Sequence, residues 1–338
     1  MRIPRFLRAL TATLLLHALP INAGFDPTSK SNIAIYWGQN SAGRADSQTR
    51  LADYCSNPDI DIILLSFLLR FSGPGNEPVL NFANQGDKCD VFPSTQLFSC
   101  PEIASDIMAC QDKNKTVLLS LGGDSYTEGG FTSPALATEA AEKMWAMFGP
   151  RTEDCEELRP FGDAVVDGFD FDFEATVLNM GVFGMRLREL MDESCEWGGD
   201  HEPGKRYYLS AAPQCPFPDL YNKDIIDTVP LDFLNIQFYN NGCGASSFKP
   251  GGKQQWNFNL ETWDEWARSE SKNPDVKVLL GLPAGKKAGR GYMCPKALGP
   301  VVRFSKEFEA FGGVMMWDAS QAWENEGFVE GVKGLLGG

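Results

Sequence analysis

The chain has 338 residues, 43% of them apolar and 12% aromatic, enough to bury a large core and too apolar for a disordered chain. Its formal charge of −15, from 30 basic and 45 acidic side chains, repels phosphate backbones, so no nucleic acid and no anionic membrane is expected as a partner. Only two histidines are present, His17 and His201, which leaves carboxylates, hydroxyls and aromatics to carry any chemistry.

In chain order, residues 1–23 read as a secretory signal peptide. Arg2, Arg5 and Arg8 precede an apolar run from Ala9 to Leu19, and Ala23 offers a small residue for cleavage. The run is short for a membrane span. Removing its three arginines takes the charge from −15 to −18 and leaves residues 24–338 as one expected domain. All nine cysteines lie there, spaced too widely for CxxC metal knuckles. In an oxidising compartment they suggest several disulfides and one leftover thiol. Asn114-Lys115-Thr116 is a glycosylation sequon. A secreted, extracellular protein is expected, acting as a monomer, with no metal and no cofactor.

Strands are expected near Asn32–Trp37, Ile60–Phe67, Thr116–Leu121, Val165–Glu174, Tyr207–Ala211, Phe233–Tyr239, Val276–Gly281 and Gly313–Trp317. Amphipathic stretches lie between several of them: Ala135–Phe148, Val182–Met191, Leu260–Ser269 and Val301–Phe311. Such alternation implies a parallel sheet, and eight units at this length suit a closed (β/α)8 TIM barrel. A doubly wound open sheet is the rival, but no Gly-rich phosphate loop follows the first strand. The longest insertion, about Ser72 to Pro101, follows the second strand.

The most informative segment is Asp167-Gly-Phe-Asp170-Phe-Asp172-Phe-Glu174. Side chains alternate along a strand, so Asp170, Asp172 and Glu174 share one face and Phe169, Phe171 and Phe173 the other. In a barrel the phenyl rings would pack against helices and the acids would point inward, where three carboxylates are costly without a purpose. Their proximity disfavours full ionisation, so at least one proton should be held at neutral pH. Glu174 is nearest the C-terminal end of its strand, where barrel enzymes bind substrate, and is the natural proton donor. A solvated edge strand and a magnesium site are the alternatives; the first lacks a free edge, the second any phosphate-handling motif.

DGFDFDFE resembles the DxxDxDxE signature of glycoside hydrolase family 18, and Ser120-Leu-Gly-Gly123 resembles that family's SxGG motif. IAIYWGQN (33–40), AAPQCPFPD (211–219), QFYNN (237–241), GLPA (281–284) and GGVMMW (312–317) follow in order, similar to the class III, hevamine-like chitinases of plants and fungi. The resemblance implies chitin or N-acetylglucosamine oligomers as partners and a substrate-assisted mechanism. It makes Glu174 the acid, Asp172 the residue orienting the substrate acetamide, Asp170 an inner acid sharing a proton with Asp172, and Tyr239 a donor to the acetamide oxygen. It puts Trp317 at the floor of the cleavage subsite and Tyr36, Gln39, Gly123 and Gln237 at binding positions. It implies the disulfides Cys55–Cys110 and Cys89–Cys100; Cys215 and Cys243 follow adjacent strands, so their loops can meet at the barrel mouth, Cys155–Cys195 is paired by elimination, and Cys294 should be free. It further implies cis peptides at Ser66–Phe67 and Trp317–Asp318. Asp124, after SLGG, departs from the small residue of several relatives, and Ala175-Thr176 follow the acid. An endo-β-N-acetylglucosaminidase acting on N-glycans and an inactive chitin-binding lectin or inhibitor remain alternatives.

Overall fold

The computed structural model describes residues 24–152, 156–197, 205–252 and 254–337. The signal peptide, His201 and the Cys155–Cys195 pairing lie outside the described residues. Eight parallel strands close on themselves: β1 (Asn32–Trp37), β2 (Ile62–Arg70), β3 (Thr116–Gly123), β4 (Gly168–Phe173), β5 (Tyr208–Ala211), β6 (Phe233–Gln237), β7 (Lys277–Pro283) and β8 (Phe311–Trp317). Each pairs with its neighbour in sequence, and β8 pairs with β1. The architecture is therefore the (β/α)8 barrel, and the open doubly wound sheet is excluded.

Alternation along the strands sorts two apolar layers. Ile33, Ile35, Ile63, Leu65, Val117, Leu119, Phe169, Phe171 and Phe173 face outward into a continuous core with the helices. Ala34, Tyr36, Ile62, Leu64, Leu118, Phe233, Leu279 and Met315 fill the barrel interior. Each large side chain so buried contributes roughly 1.5–3 kcal/mol. Phe25 closes the lower end, its ring 4.6 Å from Phe233 and 5.4 Å from Tyr208, its amide donating to Thr116 Oγ1. The C-terminal helix ends on the same side: Lys306 Nζ donates to Leu336 O, and Lys30 Nζ to the carbonyls of Lys306 and Phe308.

The outer ring includes α1 (Leu51–Cys55), α2 (Pro101–Asp112), α3 (Pro134–Phe148), α4 (Met180–Trp197), α5 (Lys223–Thr228), α6 (Leu260–Ser269), α7 (Pro295–Ser305), α8 (Ala319–Glu324) and α9 (Phe328–Leu336). The helix expected over Val301–Phe311 runs instead over Pro295–Ser305, and Phe311 opens β8. Pro295 is pre-organised for a first helical position. Pro300, six residues in, removes one backbone hydrogen bond, which the buried face of Leu298, Val301, Val302 and Ser305 outweighs. Helix α2, absent from the sequence reading, buries Ile103, Ala104, Ile107 and Cys110.

The insertion after β2 adds a short antiparallel strand, Val79–Leu80, along that strand and a small hairpin of Asp90–Val91 with Phe98–Ser99. Cys89–Cys100 staples the hairpin, Cys55–Cys110 joins α1 to α2, and Cys215–Cys243 links the loops following β5 and β6. Cys294 is an exposed free thiol. Among the described residues no helix is long and apolar enough to cross a membrane.

Candidate active site

The β4 strand is shorter than the span expected from the sequence, Val165–Glu174. It begins at Gly168, where Asp167 Oδ2 accepts from the Val117 amide, and ends at Phe173. Glu174 thus stands just past the strand, half-buried, at the upper rim of the barrel. Register sets the layers below it. Ser120 of β3 and Ser210 of β5 lie opposite Asp170, and Gly122 lies opposite Asp172.

Asp170 is fully enclosed. Its Oδ2 accepts from the Tyr36 hydroxyl (2.8 Å) and Ser120 Oγ (2.7 Å); its Oδ1 accepts from Ser210 Oγ (2.6 Å) and Asn235 Nδ2 (3.2 Å). Burial pushes this carboxyl up, and the four donors pull it back down. Their neutral hydrogen bonds fill the positions that a cation would need. The Ser120, Ser210 and Asn235 contributions went unread in the sequence, although the two serines occupy inward positions on the strands flanking β4. Asp170→Ala would leave four buried donors without their acceptor. Global stability should fall by about 2–4 kcal/mol, read from chemical denaturation midpoints; an unchanged midpoint would mean that the donors find other partners.

One layer up, Asp172 is hydrogen-bonded to Gln237 rather than to Asp170. Gln237 Nε2 donates to Asp172 Oδ1 (3.0 Å), to Glu174 Oε1 (3.2 Å) and to the Ala212 carbonyl (3.2 Å). One amide therefore ties both upper carboxyls together. Asp172 is held well above the usual carboxylate range by burial first, then by the charges of Glu174, Asp170 and Asp124. Glu174 is raised by burial, against the Gln237 hydrogen bond, with Asp124 and Asp219 adding to the rise. Tyr239 is buried beside them; burial, Asp172 and Glu174 push its phenol well up, so it stays a neutral donor.

The remaining predicted residues surround this column. Trp317 is half-buried at the end of β8, its ring 5.4 Å from Tyr36 and stacked 5.9 Å from Phe67. Tyr36 is buried and donates to Asp170, which places it beneath the floor. Gln39 Nε2 donates to the carbonyls of Ser66, Gly38 and Asn81, binding the β1 and β2 ends together. Gly123 is where backbone must approach an aromatic ring: a Cβ would sit 2.7 Å from Phe67, and φ is +83°. The Ser66–Phe67 and Trp317–Asp318 peptides are both cis, as is Phe217–Pro218. Asp318, also unread in the sequence, caps α8 and accepts from Ser41 and Ser320.

Comparison with known proteins agrees with this geometry. The profile of Glycosyl hydrolases family 18 matches residues 32–297. "Endochitinase 33" of Trichoderma harzianum is 49% identical over 331 residues, 97% of this chain and 99% of its own. "Class III chitinase" of Arthroderma benhamiae is 48% identical over 317 residues, 93% of this chain and 88% of its own. The solved structure of the ICChI chitinase from Ipomoea carnea superposes with a TM-score of 0.69 at 28% identity, covering 90% of this chain and 99% of that one. The xylanase and alpha-amylase inhibitor protein XAIP-II from Scadoxus multiflorus superposes equally, at 0.69 and 27% identity, covering 90% of this chain and 98% of that one. The barrel alone thus does not separate hydrolysis from binding. The profile spans most of the chain and the fungal relatives match it nearly end to end: the chain belongs to glycosyl hydrolase family 18, within its class III branch.

Proposed function

We propose that the protein is a secreted, monomeric chitinase that cleaves β-1,4-linked N-acetylglucosamine polymers. In this reading Glu174 is the general acid and base, and the substrate's own acetamide is the nucleophile. The observation that carries it is the Gln237 amide joining Asp172 to Glu174, with the buried Tyr239 phenol beside them. Asp172 lies two residues before Glu174, on the strand that leads to it, rather than facing it across a sugar, so the site is poorly arranged for a carboxylate nucleophile.

Glu174, kept protonated by burial, gives its proton to the glycosidic oxygen as the C1–O bond breaks. The acetamide oxygen attacks C1 to form an oxazolinium ion. Tyr239 donates to that oxygen and Asp172 accepts from the acetamide N–H, while the carboxylate left on Glu174 offsets the ring's positive charge. Glu174, now a carboxylate, then takes a proton from the water that opens the ring at C1. Trp317 supplies an apolar floor for the sugar, and Asp170 holds the column from below. The three disulfides support an oxidising destination.

Purified protein should release soluble oligomers from colloidal chitin and leave a high-mannose glycopeptide intact. Cleavage of the glycopeptide alone would make it an N-glycan hydrolase. Binding to chitin without release of oligomers would place it with the inhibitor-like barrels.

A further inference from the structure

Asp124 is a charge at the rim that the proposed chemistry does not use. It follows Gly123, the last residue of β3. The register of β3 on β4 pairs Gly122 with Asp172 and Gly123 with Phe173. Asp124 and Glu174 are the residues that directly follow this last paired position, so the two strand ends deliver them side by side at the rim. The turn holding it is sterically determined. Gly122 has φ +111°, and a Cβ there would meet the Asp172 carbonyl at 2.5 Å; Gly123 is closed in by the Phe67 ring. Asp124 therefore stands on a rigid lip, its carboxylate exposed and accepting from Ser125 Oγ at 3.0 Å. Among the described residues it forms no ion pair.

The groups facing Glu174 come from four elements. Asp172, with Asp170 beneath it, comes from β4 itself. Asp219 comes from the loop after β5, Tyr239 from the end of β6, and Asp124 from the end of β3. Every charged member is an acid. They differ in how far their charge is neutralised locally. Asp219 accepts from the amides of Gln214, Tyr221 and Asn222 and from Asn222 Nδ2, and Asp172 shares Gln237 with the acid. Asp124 is exposed and accepts from the neighbouring Ser125 hydroxyl, and among the described residues no cation offsets it. A fixed anion there favours the protonated neighbour.

We propose that Asp124 is a positioning residue for the catalytic proton: its charge on the β3 lip keeps Glu174 in the acid form and extends turnover toward higher pH. The proposal rests on Glu174 being the acid.

The test is the pH dependence of kcat on an N-acetylglucosamine oligomer for the parent, Asp124→Asn, Asp124→Gly and Asp124→Glu. The alkaline limb should move to lower pH in the Asn and Gly variants and return in the Glu variant. The ratio of kcat at about pH 8 to that at about pH 5 should fall roughly three- to sevenfold, the size expected of one nearby charge partly screened by water. Added salt should shift the parent's limb in the same direction and the Asn variant's less, because an exposed charge is screened. Parent-like limbs and salt responses in folded Asn and Gly variants would overturn the role of Asp124. Glu174→Gln, assayed alongside, separates the two failures. If it is inactive while Asp124→Asn behaves like the parent, only the Asp124 role is lost; if it turns over normally, the assignment of the acid fails first.

Discussion

Glu174→Gln should lower turnover by roughly 10²–10⁴-fold or more while oligomer affinity stays close to that of the parent. Glutamine keeps the shape and can still meet the Gln237 amide through its carbonyl, so the column below should be undisturbed. What it lacks is a proton to give. The affinity should survive because the floor at Trp317 and the acetamide contacts at Tyr239 and Asp172 lie outside the substitution. Steady-state kcat with calorimetric binding of a short oligomer reads both quantities, and near-normal turnover in a contaminant-free variant would remove Glu174 from its role. The parent should lose activity as pH rises, since a donor whose pKa is raised is protonated below that pKa and empty above it. Because Asp172 and Glu174 share an amide, the limb reports the pair rather than one residue.

An oligomer with glucosamine in place of N-acetylglucosamine at the cleavage subsite should resist hydrolysis almost completely, even where it binds. Without the acetyl oxygen no bond forms at C1 as the leaving group departs, and neither Asp172 nor Asp170 is placed to substitute. Asp172, on the strand that leads to the acid, is bonded to Gln237 of β6, and Asp170 lies one layer deeper among four donors. The first product from fully acetylated substrate should be the β-anomer, since acetamide attack and water attack each invert C1. Proton NMR within the first turnovers distinguishes the anomers before they equilibrate. An initial α-anomer, or efficient cleavage at a glucosamine unit, would replace this mechanism while leaving the barrel and its family intact.

The eight strands were legible because each is a short β-branched or aromatic run between helical segments, and closure followed from their number. Boundaries were less legible. Val165 and Val166 look like strand residues, yet the Asp167 contact with Val117 delays β4 until Gly168, and that puts Glu174 beyond the last ladder position. Pro300 looks like a helix breaker, but burial of one helical face carries α7 through it. The acid column was readable from alternation along one strand. Its supports were not, because Ser120, Ser210 and Asn235 matter only through the register of other strands with β4. Gln39 shows a further limit: its residue type suits sugar binding, and the sequence alone does not show that its amide is also bonded to three backbone carbonyls.

Phe25 plugs the barrel floor, and the last helix ends beside Lys306 on that same side. Both ends of the described chain therefore leave from the pole opposite Glu174. A surface, resin or carrier attached through either end would hold the molecule by its base, with the cleft turned outward. An insoluble polymer, which cannot diffuse to a buried mouth, would then meet the acid column unobstructed. Attachment through Cys294 would be different, since that thiol precedes α7 on the upper half of the barrel and would bring the carrier to the side where the polymer must lie.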